Sequence, residues 1–249
     1  MVNICSKFVQ FILPRYCQLC GMAIGPGHQD ARLGLCRGCI EDLPWLAHSC
    51  SGCGLPLAAS NARGTRCGHC QLHPPPFDRT HAVWRYAAPL DALICRMKFH
   101  NDPAAAETLG KLLAISLAAQ PLPRPDAILP VPLHPRRLRQ RGFNQALQIA
   151  RPVARRLQLP ILARHCHRRR DTQAQSELPL HARRANMRGA FCFHRAITAR
   201  HVAIVDDVMT SGHTVAELCR QLRRQGVEEI SVWSCARTVN QCTNILTGT

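Results

Sequence analysis

Apolar and polar residues alternate from Thr80 to Ala88, the period of a strand with one buried face. Leu90, Leu93, Ile94 and Met97 then recur at three- and four-residue spacing, which predicts a helix over 89–99. A second helix is predicted over 107–119. Ala127 to Leu133 is an apolar run broken by Pro130 and Pro132, so it reads as a strand that ends in prolines. Val202 to Val205 is the next buried strand, Val215 to Gln225 a helix, and Ile230 to Cys235 the strand after it. Strand, helix and strand at this spacing imply an α/β fold, a parallel sheet flanked by helices with its ligand site at the strand carboxyl ends. Ser6 to Leu13 reads as a short amphipathic helix that packs on the rest.

His73-Pro74-Pro75-Pro76-Phe77 is a stiff break in the chain. It divides an N-terminal module, residues 1–76, from a larger domain, 77–240, with a tail at 241–249. The 249 residues and 46% apolar content suit a globular protein with a sizeable core. No apolar stretch approaches the ~18 residues of a membrane span. The apolar segment Phe8 to Leu13 is too short for a signal peptide and lacks a small-residue cleavage site, so a cytoplasmic location is expected. Lys and Arg number 32 against 15 Asp and Glu, a formal charge of +17. Such an excess points to polyanionic partners: nucleic acid, nucleotide-like ligands or acidic membrane surfaces. The basic residues are spread widely, so a compositional bias of the genome explains them equally well.

Eight of the 15 cysteines form four Cys-x-x-Cys pairs: Cys17/Cys20, Cys36/Cys39, Cys50/Cys53 and Cys67/Cys70. Two such knuckles complete a tetrahedral four-sulfur shell, so two structural zinc ions are expected, the first pair joining the second and the third the fourth. A disulfide scaffold would need an oxidising compartment, and four regularly placed pairs argue against a redox motif. Cys5, Cys95, Cys166, Cys192, Cys219 and Cys235 read as packed or incidental thiols, and Cys242 as exposed.

The richest segment is His201 to Thr214. An apolar strand runs into Asp206 and Asp207, then Thr210-Ser211-Gly212, then a helix start. Strand, tight turn and helix N-terminus make a phosphate cradle. Two carboxylates would repel a phosphate, so they address another part of the ligand, ribose hydroxyls or a bridging magnesium ion. A phosphorylated sugar fits both features. The loop lacks the lysine of a P-loop and the three glycines of a dinucleotide site. Helix capping explains one carboxylate of the pair but not both. Arg136, Arg137, Arg139 and Arg141 crowd a segment that ends in Gly142. It reads as a mobile basic loop over an anionic leaving group, or else as a solvated basic turn.

The acidic strand end and its loop resemble the signature of type I phosphoribosyltransferases. The wider series is similar to the ComF/GntX family of bacterial phosphoribosyltransferase-like proteins. Its marks are the double zinc ribbon, Lys98-Phe99, Pro130-Val131-Pro132, Arg141 to Gln145, Thr172 with Gln175, Arg184 with Asn186, Ala190-Phe191, and the Asp-Asp-Val-x-Thr-x-Gly-x-Thr loop. The resemblance spans roughly 8–237. His213 departs from the usual Ser, Ala or Thr. A type I phosphoribosyltransferase-like domain behind a small N-terminal double zinc ribbon is implied, with magnesium-bound phosphoribosyl pyrophosphate as donor. Asp206 and Asp207 would hold the ribose hydroxyls, and Thr210, Ser211, Gly212, His213 and Thr214 the 5′-phosphate. Val131, Pro132, Leu133 and His134 would meet pyrophosphate, and the four arginines would neutralise it as it leaves. No acceptor pocket is implied. The family's association with competence and external DNA implies a second, non-enzymatic role, contacting DNA or a helicase partner. Type I folds are often homodimers. Aromatic content of 5% does not favour a stacking platform for single strands.

Overall fold

In a computed structural model of the chain, residues 15–25, 32–59, 64–170 and 189–239 are described. The helix expected at 6–13, Cys5, the motif residues Thr172, Gln175, Arg184 and Asn186, and the tail with Cys242 lie outside the described residues.

Among its described residues the cysteine module contains little regular structure. β1 (Arg15–Tyr16) and β2 (Ala23–Ile24) form an antiparallel pair, and two five-residue helices follow, α1 (Arg37–Glu41) and α2 (Gly68–Leu72). Each helix begins immediately after a cysteine, Cys36 or Cys67.

The larger domain runs β3 (Arg79–Arg85), α3 (Leu90–Phe99), α4 (Pro103–Ala118), β4 (Ala127–Pro130), α5 (Pro135–Arg141), α6 (Gln145–Leu157), β5 (Cys166–Arg168), β6 (Phe191–Phe193), β7 (His201–Met209), α7 (His213–Arg224) and β8 (Glu229–Arg237). Four strands form a parallel sheet in the order β3-β8-β7-β4, and β5 pairs β6 antiparallel apart from it. Helices cover both faces. Leu93, Ile94, Met97, Leu109, Leu113, Ile149 and Val153 pack on one side with Trp84 and Trp233. Val215, Leu218, Cys219 and Leu222 of α7 pack on the other with Ile204, Ile230 and Val232. Burial on both faces is why β7 opens with the unbroken apolar run Val202 to Val205, and why even Ser231 and Ser234 of β8 are buried.

The expected elements recur with shifted ends. The helix read over 107–119 starts at Pro103, because Asp102 caps it by accepting from the amides of Ala104 (2.9 Å) and Ala105 (3.2 Å). The strand read over 127–133 stops at Pro130. The strand read to Val205 continues through both aspartates to Met209. The basic segment is a helix, not a loop. Pro135 opens α5, the His134 imidazole caps it, and Gly142 closes it in the left-handed region at φ 70°. That glycine is a helix stop. Helix α6 was not anticipated. Its buried stripe of Ala146, Ile149, Ala150 and Val153 is interrupted by an internal Pro152 and crowded by Arg and Gln.

Helices α4 and α6 approach so closely at Gly110 that an added Cβ would lie 2.5 Å from the Ile149 carbonyl oxygen. Gly110→Ala should therefore destabilise the protein by roughly 2 kcal/mol in denaturant unfolding, although alanine is the better helix former.

The module and the domain share one core. Cys17, Ile24, Leu35 and Leu43 of the module pack in the same cluster as Trp84 and Leu109. The free edge of β3 is covered by module backbone: Leu46 N–H donates to Val83 (2.9 Å), Arg85 N–H to Pro44 (2.9 Å) and Thr80 N–H to Ser51 (2.7 Å). Trp45 packs against Trp84 across this seam, with the rings tilted 53° and 5.2 Å between their centres.

His81 on β3 reaches Ser116 of α4, with 3.0 Å between Nε2 and Oγ. Burial lowers its pKa from 6.5 to about 4. The unfolded chain binds this proton near pH 6.5 while the folded chain refuses it until about 4. The contribution is thus complete above the unfolded pKa and falls away as pH drops toward the folded one. Thermal melts at pH 7.5 and 5.5 should show about 1 kcal/mol less of this loss in His81→Gln than in wild type.

Candidate functional site

The eight knuckle cysteines gather into two tetrads, Cys17/Cys20/Cys36/Cys39 and Cys50/Cys53/Cys67/Cys70, with all sulfurs of each within 4.8 Å of one another. This is the pairing that the spacing suggested. The sulfurs of Cys20 and Cys36 are 3.7 Å apart and those of Cys53 and Cys67 3.8 Å. Zinc–sulfur bonds of about 2.3 Å in a tetrahedron give edges of about 3.8 Å, so both tetrads fit a zinc ion. Burial opposes the Cys50 thiolate, but the amides of Cys53, Cys67 and Gly52 outweigh it and bring that thiol to about 7. Its sulfur accepts from the Cys67 N–H at 3.1 Å.

The second cluster lies at the carboxyl end of the sheet. Asp206 and Asp207 occupy the last turn of the pleat in β7, both half-buried. Thr210, Ser211 and Gly212 make the turn that follows, and His213 and Thr214 open α7. Gly212 sits at φ 75° as the residue before the helix, where a Cβ would also crowd the Met209 methyl at 3.1 Å. Val131 to His134 emerge from β4 beside this strand, Val131 N–H donating to the Val205 carbonyl at 2.9 Å. The Asn144 side chain ties that segment to α6. It donates to the Val131 carbonyl (3.1 Å) and accepts from the Leu147 amide (3.2 Å).

Charge at the site is arranged around the acidic pair. Lys98, at the end of α3, pairs with Asp207 at 3.0 Å. Burial works against the Lys98 ammonium, but Asp207 and then Asp206 outweigh it and hold its pKa above the ordinary lysine value. Burial, reinforced by the charge of Asp207, pushes the Asp206 carboxyl well above the usual carboxylate range. Arg141 is half-buried within the field of Asp207, and burial pulls its pKa down against that attraction. Arg136 and Arg139 are exposed on α5, and Arg137 is half-buried. The charge of Arg141 is coupled to that of Asp207.

A double zinc ribbon family model matches residues 8–71, and a phosphoribosyl transferase domain model matches 144–240. The chain is 36% identical to the DNA utilization protein YhgH of Escherichia coli over 231 residues, which is 91% of this chain and 99% of that one. It is 36% identical over 217 residues to Competence protein F of Haemophilus influenzae, covering 83% of this chain and 92% of the relative. The chain belongs to the ComF family.

In this ComF-family chain, Lys98 and Asn144 are family marks to which the sequence assigned no work. The first neutralises an aspartate and the second joins the β4 loop to a helix. Arg237 had no signal at all beyond a cation ending an apolar strand. It is 7% exposed, and its Nε donates to the Cys53 carbonyl at 2.8 Å. Its Nη1 faces the carbonyls of Met209 (3.0 Å), Thr238 (2.9 Å) and Thr210. Among the described residues no helix is long and apolar enough to cross a membrane.

Proposed function

We propose that the carboxyl end of the sheet binds phosphoribosyl pyrophosphate with magnesium. One observation carries this reading: two aspartates at the end of β7 lead through a Thr-Ser-Gly turn into a helix N-terminus, with Lys98 and Arg141 alongside. Asp206 and Asp207 hold the ribose hydroxyls. The amides and hydroxyls of Thr210, Ser211, Gly212, His213 and Thr214 hold the 5′-phosphate. Val131, Pro132, Leu133 and His134 border the pyrophosphate, and Arg136, Arg137, Arg139 and Arg141 offset its charge.

A site of this design supports phosphoribosyl transfer. A nucleophile on the acceptor bonds to the anomeric carbon as the bond from that carbon to the pyrophosphate oxygen breaks, and pyrophosphate leaves with the electron pair. The oxocarbenium character of the transition state is eased by the nearby carboxylates. Calorimetric titration of phosphoribosyl pyrophosphate with magnesium into zinc-loaded protein tests the reading. Saturable binding is expected, and a folded protein that takes up no ligand would overturn it.

The relatives' names, DNA utilization and competence, and the charge of +17 favour DNA or a DNA-processing protein as a macromolecular partner. Such binding would weaken steeply with salt and survive loss of the aspartates.

A further inference from the structure

The buried guanidinium of Arg237 spans two parts of the molecule that the chain separates widely. On one side it meets the Cys53 carbonyl, within the Cys-x-x-Cys knuckle of the second tetrad. That knuckle is itself fixed to β3, because the Thr80 hydroxyl donates to the Gly52 carbonyl at 2.6 Å and Thr80 N–H to Ser51 at 2.7 Å. Gly54, the next residue, sits at φ 69° with room for no Cβ, which would lie 2.9 Å from the Thr80 methyl. On the other side Arg237 grips the carbonyls of Met209 and Thr210, where β7 turns into the phosphate loop. The first tetrad is seated differently: Cys17 packs in the core cluster that holds Leu109 and Leu113.

The grip dictates where the loop's amides point. A trans peptide is planar, so the N–H after a carbonyl points opposite to it. With the carbonyls of Met209 and Thr210 turned to the guanidinium, the amides of Thr210 and Ser211 are turned away from it. Successive amides facing one way are what an anion requires. A planar, always-charged fork can serve both partners at once, whereas a lysine presents a single point.

Building on the ribose-phosphate reading, we propose that Arg237 is a positioning residue for the phosphate loop, braced by the second cysteine tetrad. Affinity for a phosphate monoester then depends on the second metal site and not on the first. Ribose 5-phosphate is the probe, titrated into zinc-loaded wild type, Arg237→Gln and Arg237→Lys, with zinc counted in each. Both variants should keep two zinc ions and bind at least tenfold more weakly. Hydrogen exchange at the amides of 210–214 should accelerate at least tenfold in both variants and in Cys53→Ser, but not in Cys20→Ser.

Affinity within twofold of wild type in Arg237→Gln would overturn the proposal. So would unchanged exchange at 210–214, or equal acceleration by the two cysteine variants. Should Arg237→Gln shed its zinc, Arg237→Lys decides by the same criteria. A wild type that ignores ribose 5-phosphate refutes the ligand reading alone, and the exchange measurements still decide the brace.

Discussion

Titration of magnesium-bound phosphoribosyl pyrophosphate into an Asp206→Asn/Asp207→Asn variant will show binding at least a hundredfold weaker than wild type. A hydrogen bond to an ionised group contributes about 1.5–3 kcal/mol and a neutral one about 0.5–1.5, so losing the Asp207 carboxylate together with the Asp206 carboxyl, which burial biases toward its neutral form, removes roughly 3 kcal/mol. The double variant also strands a cation. Lys98 loses its partner at 3.0 Å, and an unpaired half-buried ammonium costs stability in its own right. Two further variants separate these effects. Asp206→Asn alone leaves the Lys98–Asp207 pair intact, so weakened binding there reflects the ligand contact. Adding Lys98→Met to Asp207→Asn should restore thermal stability without restoring affinity. Equal affinities for the double variant and the wild type would remove the aspartates from the site.

Stripping metal from the protein will have the largest effect on the fold. A strong chelator should release two zinc ions per chain and unfold the cysteine module. Structural zinc contributes on the order of 10 kcal/mol in small zinc-binding peptides, comparable to the whole stability of an ordinary domain. The described part of the module has little to replace that contribution, because α1 and α2 are five residues each and β1 and β2 two. The loss should also reach the larger domain, since Cys17, Ile24, Leu35 and Leu43 share a core with Trp84. Tryptophan emission provides the readout: Trp45 is 42% exposed and packs against fully buried Trp84, so separation of the two should shift the spectrum to the red. Cys50→Ser should release one ion and give an intermediate spectrum. A chelated protein with native fluorescence and an unchanged melting curve would mean that the tetrads do not hold the fold together.

Residues carried the architecture wherever one physical demand dominated. The apolar runs at 127, 202 and 230 read as buried strands because helices cover both faces of the sheet, and all three are strands. The knuckle spacing announced the tetrads because four sulfurs must close on one ion. Sequence was less informative where two demands met in one segment. In α6 the buried stripe shares its length with an internal proline, a buried Gln145 and solvent-facing Arg, which hid its period. In α5 the density of arginine suggested a loop, while Pro135 and Gly142 were the marks of a helix start and stop. At the candidate site, Asp206 and Asp207 stood out as an unusual pair, whereas Lys98 and Arg237 act through partners more than a hundred residues away. Lys98 meets Asp207, and Arg237 meets Cys53. No local pattern records such a pairing.

The sheet order has a consequence for biosynthesis. β3 is the first strand of the sheet to leave the ribosome, yet its one neighbour in the sheet is β8, the last, with Arg79 opposite Ser231. At about 5–20 residues per second, roughly 8–30 seconds of translation separate the two. Throughout that interval the nascent module can close its cysteine tetrads, but β3 has no strand to pair with and the second tetrad has no Arg237. Strand β8 therefore completes both the sheet and the brace in a single event, and the loop after β7 takes its final shape only once β8 has emerged.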